Sequence, residues 1–162
     1  QISKGGPITL TDPNMTRFIM NVKESVDLIL ESTRLAKGGE VFITKMPIIK
    51  IIDLAQIMID QLAPLYGYKP AKIEINEIGV KPGEKLYEEL MSDEETGRAL
   101  ELENYFSVLP AFKSAYKNIA YNYKSIISTN VLNPYVSKYE APLNKKELLY
   151  FLNKSELLNR KV

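Results

Sequence analysis

The chain has 162 residues, 45% of them apolar and 25% charged, and its 21 basic and 20 acidic side chains leave a net charge of +1. It contains neither cysteine nor histidine, which removes disulfides, thiolate nucleophiles, His-based triads and the usual zinc ligand sets. The even charge balance gives no nucleic-acid footprint, which needs basic residues gathered on one face, and no apolar run approaches the roughly 18 residues of a membrane span.

The first segment, Gln1 to Pro7, reads as the end of a helix closed by Gly5-Gly6. Gln1 is not a natural start residue and no signal peptide follows it, so the chain is expected to be the C-terminal part of a longer protein. Ile8-Thr9-Leu10-Thr11 is a strand candidate closed by the turn signal Asp12-Pro13-Asn14. Asn21 can cap a helix, with Glu24 three residues on as in a capping box. In that helix Val22, Val26, Ile29, Leu30 and Thr33 form one stripe, and Lys37-Gly38-Gly39 ends it. The run Val41-Phe42-Ile43 suits a strand buried on both faces. Ile51, Leu54, Ala55, Met58 and Leu62 line a second helix, disturbed near its end by Pro64 and closed by Gly67. Ile73 and Ile75 alternate with Glu74 and Asn76 as a strand.

The next stretch, Gly79 to Leu90, carries the most information. It reads as a loop followed by a helix over about Gly83 to Met91: Pro82 has its φ set for a first helical turn, and Leu86 and Leu90, four apart, would share one buried face. Lys81 and Glu84 would then stand at the mouth of a helix whose free N–H groups attract anions, an arrangement suited to a phosphate and a sugar hydroxyl. The plain alternative is that a Pro-Gly helix start is architecture and nothing more. Ser92 to Glu95 reads as a solvated acidic turn. Leu100 and Leu102 alternate with Glu101 and Glu103, and strand-like sequence continues through Phe106-Ser107-Val108 to Pro110. Residues 111–142 are rich in Tyr, Asn, Lys and Ser and read as irregular surface chain. Asn144 caps a last helix over Lys145 to Leu157, with Leu148, Leu149, Phe151 and Leu152 apolar.

Helices alternate with strands in the first 90 residues, which implies an α/β organisation (α+β for the isolated piece) with few short strands and packed helices. Strands 8–11, 41–44 and 73–78 are expected to need partners outside this stretch. The division expected is residues 1–110 as a binding region and 111–162 as an irregular extension with a C-terminal helix. No Gly-x-Ser-x-Gly, Gly-x-Gly-x-x-Gly or Walker loop is present. No catalytic, cofactor-binding or metal-binding residue is assigned.

Three segments resemble a known family. Gly6-Pro-Ile-Thr-Leu-Thr-Asp-Pro-Asn-Met-Thr-Arg-Phe18, Gly38-Gly-Glu-Val-Phe-Ile-Thr-Lys-Met-Pro47 running into Lys50-Ile-Ile-Asp-Leu-Ala55, and Gly79-Val-Lys-Pro-Gly-Glu-Lys-Leu-Tyr-Glu-Glu-Leu90 are similar, in order and spacing, to parts of the polysaccharide-biosynthesis (CapD-like) nucleotide-sugar 4,6-dehydratases and 4-epimerases. These are extended short-chain dehydrogenase/reductases. The resemblance covers residues 1 to about 110 and implies the C-terminal substrate-binding portion. An N-terminal Rossmann domain elsewhere in the same protein would hold NAD(P) and the Tyr/Lys catalytic pair. It implies a UDP-sugar substrate such as a UDP-N-acetylhexosamine, a homo-oligomer when intact, and a cytoplasmic location, with a membrane-spanning region upstream left open. This chain alone is expected to be inactive.

The resemblance implies substrate contacts at Thr11, Arg17, Lys81 and Glu84. Arg17 stands where the family places an Arg near the pyrophosphate, whose oxygens a guanidinium can pair two at a time. Lys81 replaces the family Arg of Arg-Pro-Gly-Glu, keeping the charge and losing the fork. Glu84 matches a Glu that contacts the substrate, and Thr11 a Thr that contacts the nucleotide-sugar. Each has a plain structural alternative: Arg17 as a helix cap or the partner of Asp12, Thr11 as a strand residue, and Glu84 as a stabiliser of its own helix dipole. Lys85, Glu88 and Glu89 read as a solvated face, and Tyr116, Tyr121, Tyr123, Tyr135 and Tyr139 as packing residues. A stand-alone, non-catalytic binding or interaction module is the competing function. The gene sequence upstream of Gln1 separates the two.

Overall fold

Apolar alternation in this chain never runs beyond a few residues before a Gly, Pro or Asn interrupts it, and short strands follow. The computed structural model describes residues 1–112 and 118–158, which form two compact units, each drawing on stretches from both sides of residue 110. The α/β reading holds.

The first unit comprises residues 1–19, 47–88 and 140–162. In it β1 (Ile8–Leu10) pairs in parallel with β5 (Ile75–Glu77), Ile8 opposite Ile75. β2 (Thr16–Phe18) pairs antiparallel with β4 (Ile48–Lys50), Arg17 opposite Ile49. The chain turns from β4 directly into α2 (Ile51–Leu62), which relaxes through a 3-10 turn over Ala63–Tyr66 and stops at Gly67 with φ of 81°. Pro64 and Gly67 thus act as expected. α4 (Lys145–Lys154) starts at Asn144, whose side chain accepts the N–H groups of Lys146 and Glu147 while Glu147 reaches back to the Asn144 N–H. A core of Ile49, Ile57, Leu148, Leu152 and Leu158 joins these elements, and a second cluster of Ile2, Ile59, Ala63 and Ile73 lies on the other side of α2. Each buried Leu or Ile contributes about 1.5–3 kcal/mol, so α2 holds the unit together. The α2 residues expected to line its core face are half-buried. Ile51, Leu54, Ala55, Met58 and Leu62 border an open groove of about 480 Å³, and Ile57 and Ile59 are the buried ones.

The second unit comprises residues 20–46 and 89–139. Its four-stranded antiparallel sheet has the order β3 (Val41–Thr44), β8 (Tyr105–Val108), β7 (Ala99–Leu102), β9 (Ile126–Ser128). β6 (Glu89–Met91) pairs with β10 (Tyr135–Val136), and α3 (Asp93–Thr96) is one turn capped by Ser92. α1 (Val22–Leu35) begins with the expected Asn21–Glu24 capping box.

Several expectations are corrected. The helix over Gly83 to Met91 does not form: residues 81–88 are turn and irregular chain, and Glu89–Met91 is a strand. Leu86 is consequently exposed rather than buried beside Leu90. β3 is an edge strand with Val41 exposed, not a strand buried on both faces. Strands β1, β3 and β5 each find a partner within the chain. The Tyr-rich stretch is not simply surface wrapping, since Tyr123, Tyr135 and Val136 are buried and two short strands lie in it. Tyr139 is exposed, with the Lys138 ammonium 4.6 Å from its ring centre, and is not a core residue, and Tyr116 lies outside the described residues.

The stripe on α1 is also reversed. Val22, Val26, Ile29 and Leu30 are exposed, and the half-buried positions are Ser25, Leu28, Glu31, Ser32 and Leu35. A contiguous exposed apolar stripe drives association. Val26→Gln combined with Leu30→Gln is therefore expected to lower concentration-dependent self-association in sedimentation while shifting the unfolding midpoint little, because neither side chain is packed.

Glu40 organises the turn before β3. Its carboxylate accepts the backbone N–H groups of Lys37 and Gly38 and the hydroxyl of Tyr123, which also receives the buried Ser107 hydroxyl at 3.3 Å. Burial pushes the Glu40 carboxyl up, but the Lys37 and Gly38 N–H groups and the Tyr123 hydroxyl outweigh it, and the group titrates below its ordinary value. Burial first, then the neighbouring Glu40 carboxylate, push the Tyr123 phenol up to about 12, against the Ser107 hydroxyl. A phenol whose folded value lies above its unfolded value of about 10 stabilises the fold fully below that pH. This contribution is lost as the pH rises through about 12. Tyr123→Phe is expected to cost about 1–2 kcal/mol at neutral pH and to flatten the loss of stability between about pH 10 and 12, measured by urea unfolding across that range.

Candidate functional site

The segment between β5 and β6 begins at the edge of the β1–β5 pair. The Ile78 N–H donates to the Leu10 carbonyl at 2.8 Å, which carries the parallel pairing one step beyond the strands. Pro82 and Gly83 then form a tight turn. The Glu84 N–H returns to the Lys81 carbonyl at 3.0 Å, and Gly83 has φ of 84°. Pro at the second position and a residue with positive φ at the third define a type II turn, and glycine takes that φ without strain.

Glu84 closes the same turn a second time. Its Oε2 accepts the Lys81 N–H at 3.2 Å and its Oε1 accepts the Thr11 hydroxyl at 3.2 Å. Thr11, just past β1, also approaches the Met15 sulfur at 3.8 Å. The carboxylate therefore ties the Lys81 turn to the end of β1.

Arg17 fixes the following residues. It lies on β2, held by the pairing with β4. Its Nη1 donates to its neighbour's carbonyl, that of Thr16, and its Nη2 donates to the Lys85 carbonyl, each at 2.7 Å. Its Nε lies 3.5 Å from the Glu88 carboxylate. The Thr16 N–H donates to the Leu86 carbonyl at 2.9 Å, so two successive carbonyls of the loop are held by two successive residues of β2. The pairing with Asp12 does not occur; the Asp12 carboxylate accepts the Asn14 N–H within its own turn.

The structure thus brings Thr11, Arg17, Lys81 and Glu84 to one place in the first unit. Thr11 and Glu84 touch directly, Lys81 joins through its backbone, and Arg17 bonds the residue after Glu84. Lys81 is exposed, and among the described residues its ammonium has no partner. A guanidinium carries five N–H groups. The three contacts of Arg17 among the described residues leave two of them for a ligand. The site can therefore present a fixed guanidinium, a free ammonium and a polarised carboxylate to one small anionic molecule with hydroxyls.

Two contributors were missed in the sequence. Lys85 and Glu88 read as a solvated helix face, whereas the Lys85 carbonyl and the half-exposed Glu88 carboxylate are the partners of Arg17. A helix would have used the Lys85 carbonyl internally. The signal available was the Pro-Gly pair itself, which fits the centre of a type II turn as well as a helix start.

The family model described as "Polysaccharide biosynthesis protein" matches residues 1–110. The chain belongs to this family. An uncharacterized membrane protein of Methanocaldococcus jannaschii is 56% identical over 126 residues, 76% of this chain and 38% of that protein. The capsular polysaccharide biosynthesis protein CapD of Staphylococcus aureus is 47% identical over 96 residues, 59% of this chain and 15% of CapD. A UDP-glucose 4-epimerase of Rickettsia canadensis is 34% identical over 156 residues, 94% of this chain and 43% of the epimerase. Among solved structures, Pen from Bacillus thuringiensis superposes with a TM-score of 0.75 at 38% identity, over 93% of this chain and 41% of Pen. The chain spans less than half the length of each of these proteins.

The double closure of the Lys81 turn makes a local prediction. Glu84→Ala removes the acceptor of both the Lys81 N–H and the Thr11 hydroxyl, and Glu84→Gln keeps an acceptor oxygen. Amide exchange at Lys81 is expected to accelerate strongly in the first variant and slightly in the second. Global stability should fall by about 1 kcal/mol or less, since the bonds are only partly shielded from water.

Proposed function

We propose that this chain is the nucleotide-sugar-binding part of a longer NAD(P)-dependent enzyme of surface polysaccharide biosynthesis, a UDP-sugar 4,6-dehydratase or 4-epimerase. The observation that carries the reading is Arg17: a guanidinium fixed by two backbone carbonyls, with N–H groups to spare, bonded to the residue that follows Glu84 in the Lys81 turn segment. Family membership and the names of the relatives, a capsular polysaccharide protein and UDP-glucose 4-epimerases, support the substrate class.

In this reading Arg17 pairs the pyrophosphate. Lys81 adds a second positive charge without bidentate geometry. Glu84 accepts from a ribose or sugar hydroxyl, which a carboxylate can do while keeping its two present bonds, because its oxygens offer about four acceptor positions. Thr11 holds Glu84 and offers its own oxygen to the ligand. This chain has no dinucleotide fingerprint, so its residues do not fit NAD(P), and the cofactor is assigned to another part of the longer protein. Substrates of the UDP-N-acetylhexosamine type, assembly as a homo-oligomer and a cytoplasmic location complete the proposal. Among the described residues no helix is long and apolar enough to cross a membrane. The M. jannaschii relative is named a membrane protein, which the proposal accommodates through other segments of the longer chain.

Calorimetric titration of UDP into the full-length protein tests the reading. Arg17→Ala should weaken binding by about 1.5–3 kcal/mol, the value of a charge-assisted contact. UDP and a UDP-sugar should lose about equally, since both carry the diphosphate. Glu84→Gln should lose less, on the order of 1 kcal/mol, and Lys81→Arg should bind UDP as well or better. Unchanged affinity in Arg17→Ala would mean that the arginine only staples the loop to β2.

A further inference from the structure

The partners of Arg17 are of two kinds. The Thr16 and Lys85 carbonyls belong to the backbone, each 2.7 Å from an Nη atom, and they cannot leave without moving β2 or the loop. Glu88 is a side chain on rotatable bonds. Its carboxylate lies 3.5 Å from Nε, beyond good hydrogen-bond length, and it is 43% exposed against 23% for Arg17. Half-exposed ion pairs of this kind hold their partners weakly. The guanidinium is thus locked in place while its counter-charge is replaceable.

We propose that Glu88 is the resident counter-ion of Arg17, occupying the charge that a phosphate or diphosphate group takes over on binding. This inference rests on Arg17 being the diphosphate contact. Glu88 keeps the site electrically satisfied when empty and competes with the incoming anion. Removing it makes binding tighter, the reverse of what removing a substrate contact does. A ligand that brings two or more negative charges displaces Glu88 readily, whereas a singly charged anion gains little over the carboxylate already there. Glu88 in this way imposes a common penalty on every anion, which a ligand with further contacts at the site, such as a nucleoside diphosphate, overcomes and a small monoanion does not.

The test is a double-mutant cycle in the full-length protein, with UDP and inorganic phosphate as separate probes in calorimetry. Glu88→Gln keeps shape and removes charge, and it should tighten UDP roughly three- to tenfold, the scale of one partly exposed charge pair. In the Arg17→Ala background the same change should do nothing, because the competition runs through Arg17. Inorganic phosphate should gain by about the same factor as UDP, since each displaces the same carboxylate. Glu89→Gln, an exposed neighbour in sequence, serves as the control for general charge. A tighter Glu88→Gln with an unresponsive double variant supports the proposal. Weaker or unchanged UDP binding in Glu88→Gln, with Arg17→Ala still impaired, overturns the counter-ion role and leaves the diphosphate reading intact. Equal gains in Glu88→Gln and Glu89→Gln overturn it as well. Full UDP affinity in Arg17→Ala overturns both.

Discussion

The chain between β5 and β6 has neither helix nor long strand of its own, so its backbone groups must be satisfied by whatever lies beside them. That requirement shapes the site. Ile78 borrows the carbonyl of Leu10, Lys81 and Glu84 satisfy each other across the Pro-Gly turn, and the Lys85 and Leu86 carbonyls are taken by Arg17 and by the Thr16 N–H. These bonds lay the loop along the ends of β1 and β2, where Thr11 reaches Glu84 and Arg17 reaches Lys85. The residues that could hold a ligand are together because the loop needed partners, and the same bonds that order the loop restrict Arg17 to one position.

A single device recurs through both units. Among the described residues, in five places a Glu accepts the backbone N–H of the residue three before it: Glu24 from Asn21, Glu40 from Lys37, Glu84 from Lys81, Glu95 from Ser92 and Glu147 from Asn144. At Asn21, Ser92 and Asn144 a helix follows, and the link is one half of a capping box. At Lys37 and Lys81 no helix follows, and the same link closes a turn. The carboxylate three residues on is therefore a mark of a tight reversal of the chain, not of a helix as such. What separates the cases is the first residue: Asn and Ser carry a side-chain acceptor for the next exposed N–H groups, whereas Lys has none.

This explains how far the sequence was legible. Asn caps with a Glu partner place their helices to within a few residues, and Gly67 places the stop. The strand-like sequence from Leu100 to Val108 is legible as strand, but the reversal that makes it two antiparallel strands is not. The Lys81 segment was misread because Pro-Gly-Glu satisfies the local grammar of a helix start and of a type II turn equally. The choice is made by β2, far away in sequence, which offers the loop carbonyls better partners than a fourth-residue N–H would. The burial of α1 was misread for a related reason. Periodicity reports which face is apolar and not what covers it, and the described residues leave Val22, Val26, Ile29 and Leu30 open. The four candidate residues Thr11, Arg17, Lys81 and Glu84 came from likeness to known sequences. Their mutual geometry, and the part of Glu88, are visible only once the loop is folded.

The Lys81 side chain stands apart from these bonds. The turn offers it no partner of its own: the Lys81 carbonyl is bonded to the Glu84 N–H and the Glu84 carboxylate is shared between the Lys81 N–H and Thr11. An ammonium needs no fixed plane. The contrast with Arg17 is physical: the guanidinium on the strand is held by two backbone carbonyls, those of Thr16 and Lys85, while the ammonium on the turn is exposed. The position of the one charge is set by the backbone, and that of the other by its own flexible stem.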